Sequence, residues 1–201
     1  MLMRKTLLNI GFAGLAVTVI GTAAVMVAAR ADHWSLNLTT CMPVGFYQRG
    51  PIPRHLQDGD QVFFCPPVQG RAMHQAMSGL WLEYAPHGEW HCADHLVPFM
   101  KLVVALPGQK VTITKAGVVA NGKPLPNSRV VTSIEDGKIK VIHLPYGTYT
   151  VPKGMFWDYA PGNFAYTSAY YGPVPIESIL GSMRPVPFLT IPGSQKWQTV
   201  G

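Results

Sequence analysis

Cys41 and Lys101 are the residues of this chain best placed for covalent chemistry. Cys41 lies in Asn37-Leu38-Thr39-Thr40-Cys41-Met42-Pro43-Val44-Gly45-Phe46-Tyr47, between small polar residues and a Met-Pro-x-Gly turn. That is the setting of a nucleophile held on a fixed, partly exposed loop. Lys101 lies in Phe99-Met100-Lys101-Leu102-Val103-Val104-Ala105-Leu106, an otherwise apolar run. An ammonium is costly to bury there unless it is paired or deprotonated. A thiol and an amine form a nucleophile–base pair that needs neither histidine nor cofactor: the amine takes the thiol proton and the sulfur attacks a carbonyl. A backbone N–H of the Cys41 loop, with the Thr39 hydroxyl, would then hold the oxyanion. A thiol ionises more readily than an alcohol, so a thiolate–ammonium pair can form before substrate arrives. The plainer alternatives are a small buried apolar Cys41 and an edge-strand Lys101 whose stem snorkels to water.

The elements that must position this pair begin with a membrane segment. Residues 6–29 run without a charge, long enough as a helix to cross a bilayer core. The α-amino group, Arg4 and Lys5 precede this segment, whereas Asp32 nearly cancels Arg30. The positive-inside rule therefore predicts residues 1–5 in the cytoplasm, a membrane anchor over residues 6–29, and residues 30–201 exported. The alternative is a cleaved signal peptide with Val27-Ala28-Ala29 at its end, but the apolar region exceeds the usual length of one. Export permits disulfides. Pairing Cys65 with Cys92 would staple the irregular segment between them to the sheet and leave Cys41 as the odd thiol.

The exported part reads as one mainly β domain. Charged residues are 13% and apolar ones 48%, with 20 Gly and 18 Pro, a balance that suits short strands and many turns. Strands are predicted over residues 61–64, 99–106, 110–115, 118–120, 123–125, 129–134, 138–144 and 146–151. Asp58-Gly59, Pro107-Gly108, Asn121-Gly122 and Asp136-Gly137 serve as turns. A helical turn is expected only over residues 176–180, and a loose tail from about residue 193. Antiparallel sheets or a partly open barrel follow. The net charge of +6 is dispersed, without the basic run or aromatic ladder of a nucleic-acid surface, so no nucleic-acid partner is expected. His87, His91, Cys92, Asp94 and His95 have spacings seen in zinc sites, but Pro86 and Gly88 oppose one helix presenting them, and no metal is expected.

The motifs, in order, resemble the signal-peptidase family, and most closely its conjugative-transfer branch. Asn37-x-Thr39-Thr40-Cys41-Met42-Pro43-x-Gly45 is similar to that family's nucleophile box with Cys for Ser, and Leu56-x-x-Gly59-Asp60-x-Val62 to its next box. The run Lys101 to Gly108 resembles the lysine box, and Gly117 to Gly122 the hairpin after it. Phe64-Cys65-Pro66-Pro67 with Cys92 resembles the conjugative branch, and Tyr170-Tyr171-Gly172-Pro173-Val174 its last box. The resemblance implies a peptidase or transpeptidase anchored in the bacterial inner membrane, its domain in the periplasm, that trims, or cyclises, a pilin-type precursor through an acyl-enzyme. Cys41 would be the nucleophile and Lys101 the base, with Met42 and Pro43 against substrate. Where the family reads Ser-x-Asp-x-Arg-Tyr this chain reads Ala165-Tyr166-Thr167-Ser168-Ala169-Tyr170, leaving Thr167 and Ser168 as candidate supports for the lysine. These departures keep two other readings open: an inactive assembly factor of the conjugative pilus, and a serine enzyme whose nucleophile has been replaced by cysteine.

Overall fold

The computed structural model describes residues 2–85, 92–162 and 164–190. Its first element, α1 (Leu2–Ala31), is 30 residues long, which at 1.5 Å per residue gives a rod of about 45 Å. The stretch Gly14–Ala31 has a mean hydropathy of 1.7 and no part of it is buried inside the chain. By length and composition α1 can cross a membrane.

The remaining elements are β1 (Trp34–Asn37), β2 (Gly45–Arg49), β3 (Gln61–Phe64), α2 (Arg71–Ser78), β4 (Phe99–Ala105), β5 (Lys110–Ile113), β6 (Val118–Ala120), β7 (Lys123–Pro124), β8 (Ser133–Ile134), β9 (Ile139–Lys140), β10 (Gly147–Thr150), β11 (Met155–Tyr159), α3 (Ser168–Tyr171), β12 (Val174–Pro175) and β13 (Ile179–Thr190). Seven strands form the main sheet in the order β1-β2-β13-β3-β4-β11-β12, with β10-β5-β6-β7 as a second sheet and β8-β9 as a separate pair. Every pairing is antiparallel. The chain is thus mainly β, in antiparallel sheets.

Successive side chains of a strand point to opposite faces, and β4 shows what this does. Leu102, Val104 and Ala105 enter the larger core with Trp157 and Tyr159 of β11. Val103 enters a second core with Val62, Phe64, Phe156, Val174 and Ile179. The register between β4 and β11 slips by one residue beside Trp157 and Asp158, so Val104 and Ala105 can both face the larger core. Lys101 pairs with Val62 across β3 and β4, which puts it on the face of the second core.

Local turn chemistry accounts for much of the rest. Asn121 and Gly122 have φ of 50° and 80°, the two positive values that a two-residue hairpin between β6 and β7 requires. At the Asp58-Gly59 turn, Gly59 N–H donates to the Val103 carbonyl at 2.8 Å, and Val103 N–H donates to the Asp60 carbonyl at 2.8 Å. The main differences from the sequence expectation lie in elements that are short or set by long-range packing. The runs 129–134 and 138–144 contain only the two-residue strands β8 and β9, and residues 176–180 divide into a 3-10 turn at Ile176–Ser178 and the start of β13. Helix α2 lies inside the segment read as irregular: Ala72, Met73 and Ala76 are its buried residues, and Met73 and Ala76 pack in one cluster with Leu82, Cys92 and Leu96. The tail beyond residue 193, with His87 and His91, lies outside the described residues.

Candidate active site

The loop bearing Cys41 is the connection of the β1–β2 hairpin, closed by the Asn37–Gly45 pair. Asn37 organises it from within. Its Nδ2 donates towards the carbonyls of Thr39, Met42 and Pro43 at 3.1, 3.1 and 2.9 Å, and its Oδ1 accepts from the Thr39 N–H at 3.1 Å and the Thr39 hydroxyl at 2.7 Å. The Tyr47 hydroxyl donates to the Pro43 carbonyl at 2.7 Å. With its carbonyls satisfied by these side chains, the loop needs no regular structure to hold one shape.

Met42 and Pro43, which the resemblance sets against substrate, are both buried. Met42 is 1% exposed and belongs to the larger core. The Asn37 bonds hold the backbone carbonyls of both residues, and Cys41 beside them is half-buried with a free thiol. The backbone of Gly162 closes the other side: its N–H donates to the Cys41 carbonyl at 3.0 Å.

Cys41 and Lys101 line the same groove, of about 670 Å³, together with Thr39 and a wall of apolar side chains that includes Trp81, Leu82, Pro98 and Tyr166. Lys101 is 4% exposed, and its Nζ lies 5.4 Å from the centroid of the Phe99 ring. That placement lets the ring face offset part of the ammonium's lost hydration. Tyr166 is held in the wall by donating to the Ala72 carbonyl of α2 at 2.7 Å. The disulfide between Cys65 and Cys92 ties the end of β3 to the segment preceding β4, and so holds the far wall.

Of the supports expected from sequence, Thr39 lines the groove, but its hydroxyl proton is directed at Asn37. Thr167 is buried and its carbonyl accepts the Tyr170 N–H at 2.9 Å in α3. Ser168, fully buried, does not go to the lysine directly: its hydroxyl donates to Asp158 Oδ1 at 2.5 Å and accepts from the Asp158 N–H at 3.0 Å. Tyr171 also donates to Asp158 Oδ1, at 2.7 Å. Asp158, absent from the sequence expectation, is 0% exposed. Burial pushes its carboxyl up to about 6, opposed by the Lys101 charge and the hydrogen bonds from Ser168 and Tyr171. Among the described residues there is no group of three or more His, Cys, Asp or Glu side chains able to hold a metal ion.

A family model described as "Signal peptidase, peptidase S26" matches residues 3–187. The conjugal transfer protein TraF of Agrobacterium fabrum is 33% identical over 179 residues, covering 88% of this chain and 94% of that protein. A probable conjugal transfer protein TraF of Sinorhizobium fredii is 30% identical over 179 residues, covering 89% and 88%, and a plasmid transfer protein TraF of Escherichia coli is 30% identical over 173 residues, covering 83% and 92%. Among solved structures, a signal peptidase I from Enterococcus faecalis is 18% identical, with a TM-score of 0.37, covering 65% of this chain and 98% of that one. From α1 to β13 the sequence follows one family's pattern, and the chain belongs to the signal peptidase family, peptidase S26.

Proposed function

We propose that the chain is a membrane-anchored periplasmic peptidase or transpeptidase of a conjugation system, which processes a pilin-type precursor through a thioester on Cys41. The observation that carries this reading is the lining of one apolar-walled groove by both a free cysteine and a buried lysine. Cys41 Sγ attacks the scissile carbonyl while Lys101 takes the thiol proton, and the oxyanion is held by a backbone N–H of the Cys41 loop. The C–N bond then breaks, Lys101 returns the proton to the departing amine, and the acyl group stays on sulfur. Water resolves the thioester by hydrolysis; the substrate's own N-terminal amine resolves it by cyclisation. In either case Sγ leaves and is reprotonated. For the Thr39 hydroxyl to join the oxyanion donors it must release Asn37 Oδ1.

Helix α1 anchors the domain at the bilayer, with Arg4 and Lys5 on the cytoplasmic side. Protease added to spheroplasts is expected to digest the domain after α1; a protected domain would reverse the topology. The reaction is tested by mass spectrometry of a membrane pilin precursor incubated with the chain or with Cys41→Ala. The expected result is a mass loss that requires Cys41, with linear and cyclic products separated by one water. An unchanged precursor, bound by both proteins, would make the chain an assembly factor instead.

A further inference from the structure

We propose that Asp158 is the buried counter-ion of Lys101, a positioning residue that fixes the ammonium beside the Cys41 groove. Three observations meet here. The strand register pairs Asp158 with Val103 and Lys101 with Val62, so Asp158 and Lys101 stand diagonally on one face of adjacent strands, within reach of a long side chain. Asp158 is fully buried, and its two oxygens are treated unequally: Oδ1 accepts from both Ser168 and Tyr171, whereas Oδ2 is buried and accepts from nothing. Lys101 is itself buried, and its charge acts on the Asp158 carboxyl.

A buried carboxylate oxygen left without a donor is unfavourable, and so is a buried ammonium without an anion. Each supplies what the other lacks. Among the described residues, Lys101 is the one cation whose charge acts on the Asp158 carboxyl. From β4 the titratable group is Lys101, and from α3 it is Tyr171, which donates to Oδ1. The hydroxyl of Tyr170 accepts from the Val131 N–H instead, at 3.0 Å, and β12 contributes only Val174 and Pro175. The Ser168 and Tyr171 bonds restrict rotation of the carboxylate, which keeps Oδ2 directed in one way. The field of this carboxylate and the Phe99 ring beneath the ammonium together keep Lys101 from swinging out to water. This inference deepens the proposed reaction and rests on that reading for its purpose, though its test does not depend on peptide cleavage.

The test is the titration of the Asp158 carboxyl carbon by NMR in the detergent-solubilised full chain, with the resonance assigned by Asp158→Asn. Wild type, Lys101→Met and Lys101→Arg are compared. The Asp158 midpoint is expected to rise by about one pH unit, a tenfold change in proton affinity, in Lys101→Met. It should stay near the wild-type value in Lys101→Arg, which keeps the charge. Lys101→Met retains the apolar stem and leaves Asp158 to take up a proton in place of its partner; a circular-dichroism melt checks that this variant is folded at the temperature of the titration, and Lys101→Arg controls for packing. One midpoint shared by wild type and Lys101→Met overturns the pairing. A moved midpoint beside an uncleaved precursor would sink the peptidase reading and leave the pairing standing.

Discussion

Gly162 lies directly on the backbone of Cys41. A Cβ at Gly162 would meet the Thr40 carbonyl oxygen at 2.0 Å and the Cys41 Cα at 2.5 Å, and both are backbone atoms that no rotamer change can move aside. Gly162→Ala is therefore expected to push the Cys41 loop outward. Overpacking of this kind costs about 1–3 kcal/mol, and a displacement of about 1 Å at a reacting group can lower turnover roughly a hundredfold. Cleavage of the precursor and the rate of Cys41 alkylation report the two consequences. Wild-type values for both would show that the loop is not braced by this contact.

Asn37 is the second brace, and it acts through hydrogen bonds instead of contact. Asn37→Ala removes the donations to three loop carbonyls and the acceptor for both Thr39 donors. A lowered thermal unfolding midpoint is expected, equivalent to about 1–3 kcal/mol for part-buried groups left unsatisfied. Asn37→Asp is expected to do worse than its near-identical shape suggests. It keeps the acceptor but turns a carboxylate towards the carbonyl oxygens of Thr39, Met42 and Pro43. A circular-dichroism melt that left both variants at the wild-type midpoint would remove Asn37 from the account.

Both braces show where sequence reading stops. Cys41 and Lys101 were legible because each is chemically out of place: a thiol among threonines before a Met-Pro turn, and an ammonium in an apolar strand. The Asn121-Gly122 hairpin was legible because its turn chemistry is local. Asp158 was not, since Met155-Phe156-Trp157-Asp158-Tyr159 shows no alternation to mark an inward carboxylate, and β11 joins the sheet through a register slip with β4. Gly162 was not legible either, because its requirement for no side chain arises where it meets Thr40 and Cys41, over a hundred residues earlier. Helix α2 escaped because it is only eight residues long. Its order comes from packing on the segment after the second half-cystine, which no local pattern encodes.

Asp158 also sets a pH dependence of stability. Its folded-state value of about 6 lies above the ordinary 3.8, so between those values the folded chain binds more protons than the unfolded one. The corresponding stability is fully present below 3.8 and is lost as pH rises through about 6. The shift corresponds to on the order of 3 kcal/mol. Relative to Asp158→Asn, which cannot titrate, wild type should gain stability when the pH is lowered from 7 to 4. The measurement is the difference between the unfolding midpoints of the two proteins at each pH. A difference that stays constant across that range would contradict the burial-driven shift.

The remaining expectation concerns the coupling of Cys41 to Lys101, on which the proposed chemistry depends. Both side chains line the groove, and an ammonium near a thiol favours the thiolate by field alone, whether or not a proton passes between them. Alkylation by iodoacetamide follows the thiolate, so its rate against pH reads that field without any peptide substrate. Lys101→Met deletes the charge and keeps the apolar stem, and Lys101→Arg keeps the charge but cannot act as a base near neutral pH. If Lys101 only stabilises the thiolate, Arg should preserve the alkylation profile and Met should move it to higher pH. If Lys101 must also carry a proton to the leaving amine, Arg should preserve alkylation while losing cleavage. The second pattern is expected, because expulsion of an amine requires a proton whichever way the thioester is later resolved. Superimposable alkylation profiles in wild type, Lys101→Met and Lys101→Arg would show that the groove holds the two groups without coupling them, and would leave the chain a binder of its precursor.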